Sequence, residues 1–384
     1  MKKTLMFLII FLAGKVYSQF DYDFADHIIK KYYVDSSRNT YQRMAWYLST
    51  TGDYLQALKY WDRQEILNKS NQNIDSLFEE KLLLPNPNKI VIDAAKNYSI
   101  TLINEAHHVP FNRTFTRGLL KDLFINGYRY IGFESLSKYD SLINKRKYPI
   151  NNSGYYIREP EFSLLIYEAL EIGYKVFGYD SQAGDFDKRE FEQAENIIKN
   201  VDLNKGKVLI HGGYSHIRED SIKKKRMGFY LKKLIHNDIL TVDQTYFLDH
   251  FDTTKNKFPF SKINLFESKI LLKGDSITNL ILNNNGTDMI IVHPKQFKID
   301  KRLWYVNINK DKIKYYLPKK YYKGRSLILV YPDSFYSIDS KANPVEIVEL
   351  SINEKTPLFL KKGNYKIKIV SENLNEKLLS VKIQ

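Results

Sequence analysis

The sequence predicts an α/β protein: a mostly parallel sheet with helices on both faces, preceded by a helical segment and followed by a small antiparallel β-sandwich module. Three observations carry that expectation. From about residue 89, short apolar strands alternate with helical stretches of about 12 to 15 residues, the rhythm of parallel β-α-β units buried on both faces. Before that point the pattern is helical only. Beyond about residue 310 the helical signals stop and short strands separated by turns take over.

The elements follow in order. Residues 1–18 have the marks of a secretory leader: Lys2 and Lys3, the apolar run TLMFLIIFLA, then Val16 and Ser18 flanking a cut before Gln19. That run is shorter than the roughly 18 to 20 apolar residues of a membrane helix, and no later segment reaches that length. The expectation is an exported chain, periplasmic or secreted, with no membrane span. Residues 19–88 form the helical segment. AWYLSTTGDYLQALKYWDRQ reads as a helix, a Thr51-Gly52-Asp53 turn, and a second helix with Asp53 as N-cap. GDYLQALKYW resembles the second helix of a tetratricopeptide repeat. A stacked array needs about three copies, so a helical prefix packed on the next domain is the favoured reading.

LLLPNPNK breaks that pattern and opens the α/β region, residues 89–310. SITLIN, YRYIGFE, YKVFGYD, GKVLIH and ILTVDQTYF are its strands, with DMIIVHP as a further one. Helices are expected over 111–126, 160–172, 187–200 and 221–235. Gly127 and Gly173, each just past a helix, fit a left-handed C-cap. In residues 311–384, RSLILVY, PVEIVEL, TPLFL and NYKIKIV are the strands of the antiparallel module.

Composition narrows the function classes. A hydrophobic fraction of 43% and an aromatic fraction of 14% exclude a disordered chain. The net charge of +15 is spread along the whole length with no basic helix, so no nucleic-acid partner is expected. Cysteine is absent, which removes disulfides, thiolate catalysis, Cys-ligated metals and a lipidated cysteine anchor together.

The chemistry collects at strand ends. Glu105, His107 and His108 follow the first strand, Glu134 the second and Asp180 the third; His211 ends the fourth, with His216 shortly after. Parallel strands place these groups along one carboxyl edge, where open α/β sheets bind ligands. Taken singly, each has a plain structural reading as a cap, a turn residue or a surface histidine. Arg189 opens the next helix and shares a face with Gln193 and Asn196. It can pair with Glu105 or Glu134, hold a substrate oxyanion, or form a surface pair with Glu192. The polar loop over 136–159 is long for an α/β connection and brings Tyr155 and Arg158 forward as substrate-binding candidates. No Gly-x-Ser-x-Gly elbow is present, so a serine nucleophile is not expected.

Five short motifs in this order resemble the erythromycin esterase-like family, across about residues 100–247. Asn104-Glu105-Ala106-His107-His108 is similar to its Gly-Glu-x-x-His motif, with His108 at the esterase position and His107 at the spacing of related branches. Glu134 in GFES, Gly178 to Gln182 in GYDSQ, Arg189 to Asn196 in REFEQAEN, and His216 in GYSH resemble the other four. Two positions depart from the pattern: Asn104 stands where the family has glycine, and Gly213 where the esterases carry a histidine. The wider group holds ChaN-like haem-binding lipoproteins and Tiki-type metalloproteases.

The resemblance implies an exported hydrolase acting on an ester or related acyl bond of a small-molecule substrate, with no cofactor required. His108, or His107, takes a proton from water; Glu105 and Glu134 fix its tautomer and favour the imidazolium; Arg189 and His216 stabilise the oxyanion. Asp180, Gln182 and Asn196 join Tyr155 and Arg158 as substrate-binding residues. Two alternatives stay open. One is a metal-dependent hydrolase or protease with His107, His108, Glu134 and His216 around zinc, manganese or iron(II). The other is a non-catalytic binder of haem or another ligand, with the helical segment and the β module as docking surfaces for a protein partner.

Overall fold

The computed structural model describes residues 22–64, 79–221, 224–256, 260, 263–296, 298–299, 302–303, 305, 308, 310–336, 341–351, 355–373 and 375–384. The expected leader over 1–18 lies outside them. The central sheet has seven strands: β1 (Ile100–Glu105), β2 (Tyr128–Phe133), β3 (Lys175–Gly178), β4 (Lys207–Gly213), β5 (Leu240–Asp243), β6 (Lys269–Leu272) and β7 (Met289–Val292), in the order β3-β2-β4-β1-β5-β7-β6. All pair in parallel except β6, which runs antiparallel to β7 along the edge. The expected α/β class with a mostly parallel sheet is what the chain adopts.

β1 is buried along its full length because both faces of the sheet are covered. Ile103, Ile131, Phe133 and Leu209 pack on one side against the helices Phe111–Ile125 and Pro160–Ile172. Ile100, Leu102, Val208 and Ile210 pack on the other against Phe186–Asn200 and Met227–Ile235. Gly127 and Gly173 end their helices at φ +90 and +113, conformations that a Cβ disfavours. Three details differ from expectation. β5 stops at Asp243 because the chain turns there, with Thr245 N–H and Gln244 N–H donating to Asp243 and Asn104. The helix expected from 221 begins at Met227, whose N–H donates to Glu190. β6 and the helix Ser276–Asn285 that follows it were not anticipated, since four residues such as KILL have too little period to separate edge strand from loop.

The C-terminal module is a four-stranded antiparallel sheet, made by β11 (Ser326–Pro332), β12 (Glu346–Leu350), β14 (Gly363–Ser371) and β15 (Glu376–Ile383) in the order β12-β11-β14-β15. The ladder of β10 (Ile313–Tyr315) and β13 (Leu358–Leu360) shares a core with one face of it. β8 (Lys298–Ile299) and β9 (Arg302–Leu303) form a short hairpin ahead of it. The opposite face of β11 receives Phe24, and Asp26 pairs with Arg325. The helices Arg38–Thr50 and Tyr54–Asp62 complete this closure, the second capped by Asp53 as its sequence predicts. Gly52 between them sits at φ +79, where a Cβ would lie 2.8 Å from the Ile347 carbonyl oxygen. Salt bridges also tie the module to the α/β region. Glu161 pairs with Lys312 and Arg117, all nearly inaccessible, and Glu168 pairs with Arg117 and Lys361.

Candidate active site

The carboxyl edge of β1, β2 and β4 is where the ionisable groups meet. Glu105 ends β1, fully buried, and takes four charged or polar donors: Arg113 Nε at 2.6 Å and Nη2 at 2.9 Å, His211 Nε2 at 2.9 Å, and His107 Nδ1 at 2.8 Å. Burial alone would raise this carboxyl. Arg113 and the two imidazoles outweigh it and hold it well below the usual carboxylate range. A carboxylate only accepts, so His107 Nδ1 carries the proton of that hydrogen bond. That ring is stacked on Tyr156, centroids 4.0 Å apart, and is crossed edge-on by Tyr214. His107 Nε2 lies 2.7 Å from the point a Cβ at Gly213 would occupy, and Glu134 Oε2 lies 3.0 Å from the same point.

Glu134 follows β2. It accepts from Gly213 N–H at 2.6 Å and Arg189 Nη2 at 3.1 Å, and His216 Nε2 lies 3.4 Å away. Burial pushes the carboxyl up, but His216, His107, the Gly213 amide and Arg189 bring it below its ordinary value. His216 is held from behind by Glu190, 2.9 Å from Nδ1. Burial disfavours its charge, yet the two carboxylates outweigh burial and raise its pKa. The charged form of the ring is thus favoured between Glu134 and Glu190. Arg189 donates through Nε and Nη2 to Asp180, and Gln193 adds a third side-chain donor at 2.6 Å. Arg189, His107 and His216 retain 31, 18 and 14% side-chain exposure, so solvent reaches all three at this edge.

Glu105, His107, Glu134, Asp180, Arg189 and His216 thus converge. The other predicted residues sit elsewhere. His108 is 3% exposed and stacked under Trp61, centroids 3.9 Å apart; burial drives its pKa well down, so the ring is neutral. Adjacent residues diverge at this strand end, so the two histidines serve different spaces. Asn196 donates to the Tyr179 carbonyl, a strand-to-helix tie, and Gln182 is exposed. Tyr155 lies flat on Trp46 at 3.7 Å, and Arg158 Nε donates to the Asn151 carbonyl. Between those two, Tyr156 covers His107.

Several residues escaped the sequence. Arg113 is fully buried, bridges Glu105 and Glu159, and donates to the His107 carbonyl. Glu159 in turn caps the helix Pro160–Ile172 and accepts from Tyr54 of the helical segment. Glu190 had a readable signal: it shares the buried stripe of its helix with Gln193, Ala194 and Ile197, where an unpartnered carboxylate would be costly. Asn104 also has a clear role. Its side chain donates to Asp243 and the Tyr214 carbonyl and accepts from Gln244 N–H, stitching the ends of β1 and β5. Among the described residues no group of three or more His, Asp or Glu is arranged to hold a metal ion.

No family model matches the sequence, and no curated protein matches it. Among solved structures, the type III effector HopBA1 aligns with a TM-score of 0.36 at 11% identity, over 56% of this chain and 96% of that one. The haem-binding ChaN of Campylobacter jejuni aligns at 0.33 and 11%, over 53% and 91%. RRSP, a MARTX toxin effector domain from Vibrio vulnificus CMCP6, aligns at 0.30 and 13%, over 51% of this chain and 45% of its own.

Proposed function

We propose that this edge is a hydrolytic centre for an ester or related acyl bond, with His107 as the general base. The observation that carries the reading is the Glu105–His107 pair: a buried carboxylate fixes Nδ1–H, and Nε2 is left basic beside Glu134 and the backbone of Gly213. Water gives a proton to Nε2 as its oxygen bonds to the acyl carbon. Arg189 and the imidazolium of His216 supply positive charge to the oxygen that becomes anionic. Collapse of that intermediate breaks the acyl–oxygen bond, and the leaving alkoxide takes from His107 Nε2 the proton that water gave it, giving acid and alcohol and restoring the base. The motif resemblance to the erythromycin esterase-like family is the second support, although His107 takes the place that the resemblance gives to His108. Where those esterases carry a histidine, this chain has Gly213, and the His107 ring fills the space that a side chain there would take.

A panel of p-nitrophenyl esters tests the proposal. His107→Ala is expected to lower kcat by about 10² to 10⁴ on any ester the native protein cleaves, while His108→Ala leaves kcat within about tenfold. Hydrolysis undiminished in the His107→Ala, His108→Ala double variant would overturn the proposed base, and no turnover of any ester by the native protein would leave a ligand-binding protein. Turnover abolished by chelation and restored by one divalent ion would transfer the reading to a metal-dependent hydrolase.

We further infer export, from the basic start, apolar run and Val16/Ser18 site. N-terminal sequencing of protein recovered outside the cytoplasm should begin near Gln19; an intact Met1 there overturns it.

A further inference from the structure

Away from the cluster at the carboxyl edge, two carboxylates meet on a single hydroxyl. Thr241 of β5 is wholly buried, and its Oγ1 lies 2.7 Å from Glu219 Oε1 and 3.1 Å from Asp288 Oδ2. The same oxygen accepts from Asp288 N–H at 2.9 Å, and Thr241 N–H donates to Asp288 Oδ2 at 3.0 Å. A threonine hydroxyl has one proton and two lone pairs. It can donate to only one of the two carboxylates, so with both ionised one close oxygen–oxygen contact is left without a hydrogen. A proton on Glu219 Oε1 completes the set. Glu219 then donates to Thr241 Oγ1, Thr241 donates to Asp288 Oδ2, and both lone pairs of the hydroxyl are filled.

The charges around the pair agree with that count. Burial first, and then Asp288, push the Glu219 carboxyl up to about 7. Lys232 of the helix Met227–Ile235 pulls the other way from 3.0 Å, but it is 41% exposed and shared with Asp238 at 2.8 Å. Lys273, just past β6, pairs with the other oxygen of Asp288 at 3.1 Å, and Tyr98 ahead of β1 faces the group as a neutral phenol. On the segment itself Arg218 is taken up by Asp220 at 2.6 Å. The backbone is fastened at the same point: Glu219 N–H donates at 3.0 Å to the carbonyl of Gly286, which ends the helix Ser276–Asn285. Asp220 approaches Gly286 so closely that no Cβ fits there. This segment leads directly out of the turn Tyr214–Ile217 that carries His216.

We propose that Glu219, Thr241 and Asp288 form a proton-dependent latch, in which one shared proton holds the chain over 218–220 against the sheet and its loss lets that chain open. The latch does not depend on hydrolysis at His107. Because the folded value of Glu219 is raised, its contribution is complete below the ordinary carboxylate range and is lost as pH rises through about 7. The test is amide hydrogen exchange of the intact protein between pH 6 and 8, corrected for intrinsic rates. Protection of the Glu219 N–H is expected to fall about tenfold, the linkage of a carboxyl that ionises near 7 when closed and in its ordinary range when open. Glu219→Gln, whose amide donates to Thr241 at any pH, should keep protection level. In the native protein the carboxyl carbon resonance of Glu219 should titrate near neutrality, and Asp288→Asn should move that midpoint to lower pH. A native midpoint in the ordinary carboxylate range, one unmoved by Asp288→Asn, or a fall in protection that survives in Glu219→Gln would each overturn the proposal.

Discussion

Glu190 is closed off from solvent, yet it governs the charge of a residue that is not. Its carboxylate is shared by His216 Nδ1, Arg226 Nη1 and the Met227 N–H, so its position is fixed from three sides. The pKa of His216 is raised by Glu134 and Glu190 against the opposing effect of burial, and the imidazolium persists above its ordinary value of 6.5. A folded value above the unfolded one stabilises the protein fully below the unfolded pKa. That contribution is lost as pH rises through the folded value. Turnover assisted by this cation should fall on the same alkaline limb. Glu190→Gln removes one of the causes of the raised value, so the limb in a pH–kcat profile should move to lower pH, with the acid limb unchanged. An alkaline limb that stays in place would mean that His216 charge is not used. Glu105 and Glu134 have depressed values, so their contribution has the opposite sign: it is present above the ordinary carboxylate range and lost as pH falls through the depressed values.

At the scale of the element, the end of β4 shows how closely the site is packed. In register, Glu105 of β1 lies beside Gly213 of β4, and the absence of a side chain at 213 leaves room for the His107 ring. A Cβ there would come 2.6 Å from His107 Cε1, closer than real Cβ atoms approach anything. Gly213→Ala should therefore turn His107 away from Glu134 and lower kcat by about 10² or more, close to the loss in His107→Ala, with the fold retained by circular dichroism. Much of this edge was legible, because strand, helix and the ionisable residue that ends each strand are local in sequence. Of the partners the sequence offers Arg189, Glu134 is met at 3.1 Å, while its closer partner Asp180, at 2.8 Å, was not among them. The aromatic cover was not legible. Trp61, Tyr54 and Trp46 come from a helical segment whose period predicts helices but not the surface they cover. The choice between His107 and His108 was hidden for a similar reason. It depends on which ring Glu105 holds and which Trp61 buries, and adjacency in sequence is silent on both.

On the scale of the whole molecule, the C-terminal sheet reads in the sequence as a module of its own, which would make it separable from the α/β region. The buried pairs argue otherwise. Removing residues after 310 would leave Glu161 inside without Lys312 and uncover Phe24, whose partners on β11 would be gone. Breaking a buried pair costs about 3–5 kcal/mol, a large share of an ordinary domain's stability. The truncated chain should unfold at markedly lower urea than the full protein, and an unshifted midpoint would restore the separable module.

The pairing of Asp26 with Arg325, and of Phe24 with the face of β11, has a consequence in time. The partners stand 299 positions apart. At ordinary ribosomal speeds of about 5–20 residues per second, the first helices wait on the order of 15 to 60 s for the strand that receives them. Until β11 is made, Phe24 has no counterpart, and the helix that brings Trp61 over His108 and Tyr54 onto Glu159 lacks its support at Ile347. The cluster at the carboxyl edge is then among the last parts of the protein to be completed, although its charged residues are synthesised in the first two-thirds of the chain.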